Sequence, residues 1–319
     1  MKQPKVSVII PVYRAEPYIE QCARALFDQT LDDMEFIFID DCGPDRSMEI
    51  LEEVLAEYPI RRQQTFIIRH RQNRGVSRSR QDGVDSAHGE YIIHCDPDDW
   101  MEREMYEKLY NKARDSNADM VLCDFDEGDS GNFVGRIQYI PETKYDILLN
   151  ICTSEFHTSL CNKLISREYI AKTGVRFDER ISLWEDMTYL IPLLMGEGKF
   201  IKLDAILYHY RVVADSISHR RTQREIESTL VAADTISTYL SKIQRNREFE
   251  KIINLFKIKA KEAYLKNGNF NPLLWRRTFP DSHKKFFSFP ISNGRKILYL
   301  SCMLHLDFVA RLLMKQRKM

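Results

Sequence analysis

The chain has 319 residues, of which 44% are hydrophobic and 29% are charged, and its 47 basic residues balance its 47 acidic ones. This length fits one large α/β domain with an appendage, or two domains. The zero net charge argues against a protein that binds nucleic acid with its whole surface. Seven scattered cysteines, with no Cys-x-x-Cys pair, argue against a disulfide framework and against a structural zinc site.

The chain shows no pattern for export or for membrane insertion. Residues 1–5 are polar and lead directly into an apolar run, so they do not form a signal peptide. No stretch reaches the roughly 18 uninterrupted apolar residues of a membrane span. Together with cysteines typical of a reducing compartment, these features predict a cytoplasmic protein.

The first 124 residues alternate between apolar strands and amphipathic helices. The mostly apolar run Val6–Val12 predicts a buried parallel strand. Apolar residues at helical spacing follow in 18–27. Further strands are predicted at 36–39, 65–68, 91–94 and 120–123, with helices between them. This alternation predicts an open, mostly parallel α/β sheet with right-handed crossovers.

The pattern changes beyond residue 124. Residues 124–141 are rich in Gly and Asp and predict a loop or hairpin. Residues 200–207 and 208–212 predict two short strands. From residue 222 onward the pattern is entirely helical, and 294–314 reads as one helix. We therefore predict a sheet-containing domain over 1–220 and a helical region over 221–319.

Carboxylates follow two of the predicted strands. They are Asp40 and Asp41 after the second strand, and Asp96, Asp98 and Asp99 after the fourth. In an open α/β sheet, ligands bind beyond the carboxyl ends of the strands. Acids this close repel one another, and a cation lets them stay ionised together. Mg²⁺ and Mn²⁺ prefer such oxygen ligands and also take substrate phosphate oxygens. A single acid at a strand end is more simply a helix cap, but an Asp-x-Asp-Asp cluster favours a metal site.

Five segments of the first hundred residues resemble the nucleotide-sugar-binding half of family 2 glycosyltransferases, which have the GT-A fold. They are Val-Ser-Val-Ile-Ile-Pro-Val-Tyr at 6–13, Phe-Ile-Asp-Asp-Cys-Gly-Pro-Asp-Arg-Ser at 38–47, Asn-Arg-Gly-Val-Ser at 73–77 with Arg80, Gly-Glu-Tyr-Ile at 89–92, and Asp-Pro-Asp-Asp-Trp at 96–100. The resemblance implies a Rossmann-like GT-A domain with its nucleotide-sugar half in 1–124, its acceptor half in 125–220, and a C-terminal helical extension.

The resemblance also implies roles on the donor side. Pro11, Val12 and Tyr13 would line the base, Asp40 or Asp41 would accept from its imide N–H, Arg80 would lie beside the diphosphate, and Asp96 and Asp98 would touch ribose and metal, with Asp99 beside them. The implied cofactor is Mn²⁺ or Mg²⁺, and the implied donor is a UDP-sugar. Arg14 stands where the family usually has Asn, and Cys42-Gly43-Pro44 replaces its usual Gly-Ser. Both departures lie near the base pocket.

The acceptor side resembles the family in two further segments. Trp184-Glu185-Asp186 resembles a Glu-Asp motif, which implies that Asp186 is the general base with Glu185 beside it. A neutral alcohol is a poor nucleophile, so the chemistry needs such a base. The alternative is that both acids only stabilise a helix N-terminus. Cys161-Asn162-Lys163-Leu164 implies a Lys163 contact to diphosphate or acceptor, and the alternative is a solvent-facing lysine.

The segments 208–211 and 216–218 resemble the close of the family's catalytic domain, where a flexible loop folds over the donor. His209 in the first of them is a candidate metal or phosphate contact, although a strand-surface histidine is the favoured reading. We also assign His70 and His94 to structural roles.

The C-terminal segment is basic and apolar. From Lys284 onward there are eight Lys or Arg against one acid, Asp307, and large apolar side chains recur through 297–313. Such a stretch suits the surface of an anionic bilayer. The alternative is a helix packed on the protein's own core, with its basic end solvated.

These features predict an inverting glycosyltransferase that transfers a sugar from a nucleoside-diphosphate sugar to a hydroxyl of a glycan or lipid-linked acceptor. We expect it in cell-surface polysaccharide synthesis, in the cytoplasm and in peripheral contact with the inner face of the membrane. Another metal-dependent nucleotidyl enzyme would usually have a Gly-rich loop after the first strand, where this chain has Tyr13-Arg14-Ala15-Glu16. A non-catalytic sugar-nucleotide-binding protein would be expected to lack the metal acids or Asp186.

Overall fold

The computed structural model describes residues 3–129, 131–213, 222–244, 246–266, 270–289 and 291–316. The chain divides into two compact units. The sheet unit comprises the described parts of Met1–Ile140, Thr158–Glu179 and Glu185–Ser216, and the helical unit those of Pro141–His157, Arg180–Trp184 and Ile217–Met319. The predicted boundary at residue 220 lies outside the described residues and stays a prediction.

The described residues form nine strands and thirteen α-helices. The strands are β1 (Val6–Val12), β2 (Met34–Asp40), β3 (Thr65–Arg69), β4 (Tyr91–His94), β5 (Trp100–Met101), β6 (Met120–Asp129), β7 (Asn132–Arg136), β8 (Lys163–Ser166) and β9 (Phe200–Arg211). The helices of the sheet unit are α1 (Ile19–Phe27), α2 (Ser47–Ala56), α3 (Pro59–Arg62), α4 (Val76–Ser86), α5 (Met105–Ser116), α7 (Arg167–Thr173) and α8 (Glu185–Met195). Those of the helical unit are α6 (Lys144–Thr153), α9 (Gln223–Ile243), α10 (Arg247–Lys261), α11 (Pro272–Arg277), α12 (Asn293–Met303) and α13 (Asp307–Gln316), with 3₁₀ helices at Glu262–Leu265 and Pro280–Ser288.

All the strands belong to one mixed sheet, in the order β3-β2-β1-β4-β8-β6-β9-β5, with β7 paired to β6. The first four are parallel, as the alternating pattern predicts. The short strand β8 lies antiparallel between β4 and β6. Because β8 separates them, the fifth predicted strand, β6, does not pair directly with β4. The sequence pattern does not predict β8. This arrangement gives the α/β fold a parallel half and a mixed half.

Strand β1 is buried along its whole length because helices cover both of its faces. Val8 and Ile10 share one apolar core with side chains of α1, α2 and α5. Ile9 points the other way and packs against Gly83 of α4, because successive side chains of a strand alternate between its faces. The β1 carboxyl end is thereby held rigidly at the edge where the predicted site residues lie.

Replacing Gly83 with Ala is expected to destabilise the sheet unit by about 1–3 kcal/mol through overpacking. A Cβ atom at this position would lie 2.4 Å from Ile9 Cγ2 and 3.1 Å from Ile39 Cδ1. Chemical unfolding followed by circular dichroism measures the effect. Ser86→Ala on the same helix is the control, and an equally small loss in both variants would contradict the close packing.

Two predicted elements differ from the structure. The strands expected at 200–207 and 208–212 are one continuous strand, β9, because it pairs with β6 from Met120 to Gly128. Shifts of register next to Asp124 absorb the extra residues of β9 and keep the pairing intact. The prediction of two strands was therefore wrong.

The single helix expected at 294–314 is also two helices, α12 and α13. The chain turns between them at His305, whose φ of 60° lies in the left-handed region. Among the described residues, no helix has both the length and the apolar character to cross a bilayer.

Candidate active site

The carboxyl ends of β1, β2 and β4 lie side by side because these strands are neighbours in the sheet. The N–H of Asp41 donates to Val12 O at 3.0 Å, and the N–H of Cys95 donates to Ile9 O at 2.9 Å. The residues that follow the three strands therefore meet at one edge, which is where an open α/β sheet binds its ligand.

Asp41 is buried, and its carboxylate is fully engaged by the protein. One oxygen contacts His70 Nδ1 at 2.7 Å and accepts the N–H of Arg74 at 2.7 Å, while the other accepts the N–H of Gly75 at 2.9 Å. Asp41 thus fixes the turn before α4 and is poorly placed to accept from a base. Of the two acids proposed for this contact, the geometry favours Asp40, whose carboxylate accepts the N–H of Cys42 at 3.0 Å and lies 3.9 Å from Arg69 Nε.

The three residues expected to line the base differ in exposure. Pro11 and Val12 are buried in β1, whereas Tyr13 is 38% exposed. The guanidinium of Arg14 lies 5.3 Å from the centroid of the Tyr13 ring, and Arg14 has a left-handed φ of 54°. An exposed aromatic ring beside a cation is a platform on which a planar base can stack.

Asp99 does not face the candidate site as the sequence predicts. Its carboxylate is buried and accepts the hydroxyl of Tyr208 at 2.5 Å and the N–H of Arg211 at 2.8 Å. The Arg211 guanidinium also donates to the Asp98 carbonyl at 2.9 Å. These contacts favour a role for Asp99 in orienting the loop that carries Asp96 and Asp98, and its role as a metal ligand stays a prediction. The resemblance of segment 208–211 to the family did not predict the contacts of Tyr208 and Arg211 with the Asp98–Asp99 loop.

Asp96 and Asp98 remain the candidates for a metal. Burial, together with the nearby Asp96, raises the pKa of Asp98 to about 6. Within the described ranges, no three His, Cys, Asp or Glu side chains are arranged as a ready metal site. Asp96 and Asp98 nevertheless fit a hard divalent cation, which prefers carboxylate oxygens. The charge of Asp96 helps to raise the pKa of Asp98, and a bound cation would lower that pKa.

Arg80 lies at the centre of the site. Its side chain is only 3% exposed. Nη2 donates to Asp96 Oδ1 at 2.8 Å, and Nη1 donates to Glu185 Oε1 at 3.1 Å and to Asp186 Oδ1. One guanidinium thus joins the Asp-x-Asp acid to both acids of the Glu-Asp motif. Carboxylates occupy both terminal nitrogens of Arg80, and its contact with the diphosphate stays a prediction.

Glu185 and Asp186 stand in the first turn of α8, with side chains 15% and 21% exposed. Burial and mutual repulsion raise the pKa of Glu185 to about 8. Burial also raises the pKa of Asp186, and Arg80 opposes that rise. The three carboxylates around Arg80 carry more negative charge than one guanidinium balances, which again favours a bound cation nearby.

Lys163, expected at the donor or acceptor, is fully buried in β8. Its Nζ donates to Ser159 O at 2.7 Å and to Asn162 Oδ1 at 2.8 Å, and burial lowers its pKa to about 8. These contacts favour a structural role for Lys163, and its contact with the diphosphate or acceptor stays a prediction. The alternative of a solvent-facing lysine is wrong, because the side chain is fully buried.

The histidines have structural partners. His209 lies between Asp126 at 2.8 Å and Glu102 at 3.0 Å, and His70 lies between Asp41 and Asp82. His94 is buried, and its ring packs edge-on to aromatic rings of the sheet unit. The segment 216–218, expected to belong to a loop over the donor, lies outside the described residues.

Replacing Tyr208 with Phe is expected to destabilise the sheet unit by about 1–3 kcal/mol, because it leaves the buried Asp99 carboxylate without one donor. Tyr106→Phe is the matched control. Tyr106 is also a buried tyrosine, and its hydroxyl has no hydrogen-bond partner within the part of the chain that is described. Equal losses of unfolding free energy in the two variants would contradict the role of the Tyr208–Asp99 bond.

A half-parallel α/β sheet with acids gathered at the carboxyl ends of its strands is the arrangement expected of a GT-A enzyme. The family model of glycosyl transferase family 2 matches residues 7–174, which is more than half of the chain. The chain belongs to glycosyl transferase family 2 and is a glycosyltransferase.

Curated relatives agree with this membership. The Bacillus subtilis glycosyltransferase EpsH is 28% identical over 263 residues, which cover 80% of this chain and 75% of EpsH. EpsJ of the same organism is 31% identical over 226 residues, covering 67% of this chain and 63% of EpsJ. The B. subtilis minor teichoic acid biosynthesis protein GgaB is 28% identical over 68% of this chain, but the match spans only 24% of GgaB. The chain is thus related to polymer-synthesis enzymes, some of them much longer.

Solved structures share the fold. S. aureus TarS in complex with UDP-GlcNAc superposes with a TM-score of 0.68 at 16% identity, covering 98% of this chain and 90% of that one. The mannosyltransferase PcManGT from Pyrobaculum calidifontis, solved with GDP-Man and Mn²⁺, gives a TM-score of 0.57 at 16% identity, covering 99% and 85%. These similarities show the GT-A fold.

Proposed function

We propose that this glycosyltransferase moves a sugar from a nucleoside-diphosphate sugar, foremost a UDP-sugar, to a hydroxyl of a glycan or lipid-linked acceptor. We place the reaction in the synthesis of a cell-surface polysaccharide and assign it inversion at the anomeric carbon. The observation that carries the proposal is the Arg80 bridge from Asp96 to Asp186. It brings an acid suited to the donor's metal and an acid suited to deprotonating an acceptor into one cluster.

On the donor side, the exposed ring of Tyr13 would stack on the base, and Asp40 would accept its imide N–H. TarS and PcManGT, which share this fold, were crystallised with nucleotide sugars, and this supports the donor class. Arg14, in place of the usual Asn, stands beside the base platform and gives the base pocket an extra positive charge.

Asp96 and Asp98 would hold the divalent cation, with Asp99, Tyr208 and Arg211 fixing their loop. A bound Mn²⁺ or Mg²⁺ would neutralise the charge that develops on the leaving diphosphate. PcManGT was solved with Mn²⁺, which supports a divalent metal in this fold.

On the acceptor side, the Asp186 carboxylate would take the proton of the acceptor hydroxyl as that oxygen bonds to the anomeric carbon. The bond from this carbon to the diphosphate oxygen breaks, and its electron pair leaves with the nucleoside diphosphate. One displacement inverts the centre, so a single base suffices. Arg80 would keep Asp186 ionised and oriented, because its guanidinium donates directly to that carboxylate.

Replacing Asp98 with Asn is expected to raise the melting temperature of the metal-free protein and to remove the additional stabilisation that Mn²⁺ gives the wild type. The reason is that Asp98 is a partly buried ionisable group beside Asp96, so its charge is unfavourable without a cation. Thermal unfolding in EDTA and in Mn²⁺ measures both effects. Asp204→Asn, an exposed acid of the sheet unit, is the control. If Mn²⁺ still stabilised the variant as much as the wild type, the assignment of Asp98 to the metal site would be wrong.

The proposed function is tested by a donor screen that detects released nucleoside diphosphate. Purified protein is incubated with Mn²⁺, a panel of UDP-, GDP- and dTDP-sugars, and bacterial cell-envelope glycans or lipid fractions as acceptors. We expect release with one donor that depends on acceptor and metal. Release from no donor with any acceptor, or release that is unchanged by EDTA, would count against the proposal.

A further inference from the structure

The turn between α12 and α13 presents an unusual concentration of exposed apolar side chains. Within 304–312, five large apolar residues are 40% to 75% exposed. They are Leu304, Leu306, Phe308, Val309 and Leu312, which we call the apolar corner. Scattered single exposed apolar residues are normal, but a contiguous patch of this kind marks an interaction surface.

The geometry of the corner suits an interface rather than a membrane span. Phe308, Val309 and Leu312 lie on one face of α13, because Leu312 is four positions from Phe308 and three from Val309, and residues three or four apart are neighbours on a helix. The opposite face holds the fully buried Ala310. Helices α12 and α13 have 11 and 10 residues, half of the roughly 20 that a spanning helix needs. The corner therefore presents an apolar face that can bury in a membrane surface, but its helices are too short to span the membrane.

The charges around the corner indicate the chemistry of its partner. Asp307 is the only acid after residue 284, and its negative charge is paired with Arg276, whose guanidinium donates to the two carboxylate oxygens at 2.6 Å and 3.2 Å. Arg295 is paired with Glu262 at 3.4 Å, whereas Lys296 and Arg311 have no acid of the segment after residue 284 left to neutralise them. A second copy of the chain would bring the same positive charge against itself, whereas an anionic surface would complement it.

We propose that the apolar corner docks on an anionic phospholipid bilayer, with its apolar side chains at the boundary between head groups and acyl chains. Apolar burial and electrostatic attraction then act together, as in other interfacial helices. The inference stands independently of the proposed donor, metal and base, because it involves none of the residues of the candidate active site.

Flotation of the full chain with vesicles tests the proposal. One set of vesicles contains phosphatidylcholine alone, and the other contains phosphatidylcholine with phosphatidylglycerol. The test variant combines Phe308→Ser with Leu312→Ser, and the control combines Ile60→Ser with Ile137→Ser, two apolar residues of the sheet unit that are 74% and 67% exposed. A second variant, Leu304→Ser with Leu306→Ser, probes the other part of the corner independently.

We expect the wild type and the control to float with the phosphatidylglycerol vesicles, and both corner variants to partition at least about tenfold less. We also expect binding to weaken as salt is added. Wild-type binding that is absent, or that is equal in the corner variants and the control, would overturn the proposal. A lipid-independent fall in oligomeric state by light scattering, specific to the corner variants, would do the same by assigning the corner to a second copy.

Discussion

Replacement of Asp186 with Asn is expected to lower sugar transfer by about 10²–10⁴-fold while donor binding stays close to that of the wild type. Asn has the shape of Asp and can still accept from Arg80 through its amide oxygen. It cannot take the proton of the acceptor hydroxyl. The loss should therefore fall on the chemical step, which appears in kcat more than in the affinity for the nucleotide.

Glu185→Gln is the matched comparison for this experiment. Glu185 is the neighbouring acid and shares the same guanidinium, and burial and repulsion by Asp186 raise its pKa, but the proposed mechanism assigns it no proton transfer. We expect its replacement by Gln to lower kcat much less than the change at Asp186. A larger loss at Glu185, or an Asp186 variant that loses donor binding in proportion to transfer, would contradict the base assignment.

The second large effect is expected at Arg80. Replacement with Met, which keeps an apolar stem of similar length, leaves three half-buried carboxylates without their shared cation. Removing one partner from a buried ion pair costs about 3–5 kcal/mol, and the same change should lower transfer because Asp96 and Asp186 lose their common anchor. Arg80→Lys should recover only part of either loss, since one ammonium cannot reproduce the bridging fork.

Arg78→Met is the control for Arg80. Arg78 lies on the same helix and pairs with Asp82 and Glu179, but its side chain is 29% exposed. Exposed pairs of this kind contribute about 0–1 kcal/mol. Urea unfolding and the transfer assay are measured on all three variants. If Arg80→Met cost no more unfolding free energy than Arg78→Met, the bridge would not organise the site.

The parallel half of the sheet and the acids at its edge could be predicted because both are local in sequence. A continuous apolar run such as Val6–Val12 is a buried strand whatever surrounds it, and an acid that follows such a strand must lie at the edge of the sheet. The strand β8 could not be found this way. It has four residues, it contains a buried lysine, and only its partners β4 and β6 define it as a strand.

The roles of individual acids were harder to predict because they depend on distant partners. Nothing in the local sequence distinguishes Asp40 from Asp41, but the His70 ring and the turn before α4 engage the carboxylate of Asp41. Asp99 is likewise set apart by Tyr208 and Arg211, more than a hundred residues away. The Arg80 bridge likewise reaches Glu185 and Asp186, which are more than a hundred residues away from Arg80. Sequence periodicity and motif spacing cannot predict such contacts between residues that are distant in the sequence.

The most direct test of the central claim is calorimetric titration of UDP into the full chain, with Mn²⁺ and with EDTA, for the wild type, Asp98→Asn and Asp186→Asn. We expect Mn²⁺ to strengthen UDP binding in the wild type and in Asp186→Asn, and to have little effect in Asp98→Asn, because the proposed mechanism assigns Asp98 to the metal and Asp186 to the acceptor. UDP binding that is indifferent to Mn²⁺ in the wild type, or a metal effect that survives in Asp98→Asn, would contradict the site described above.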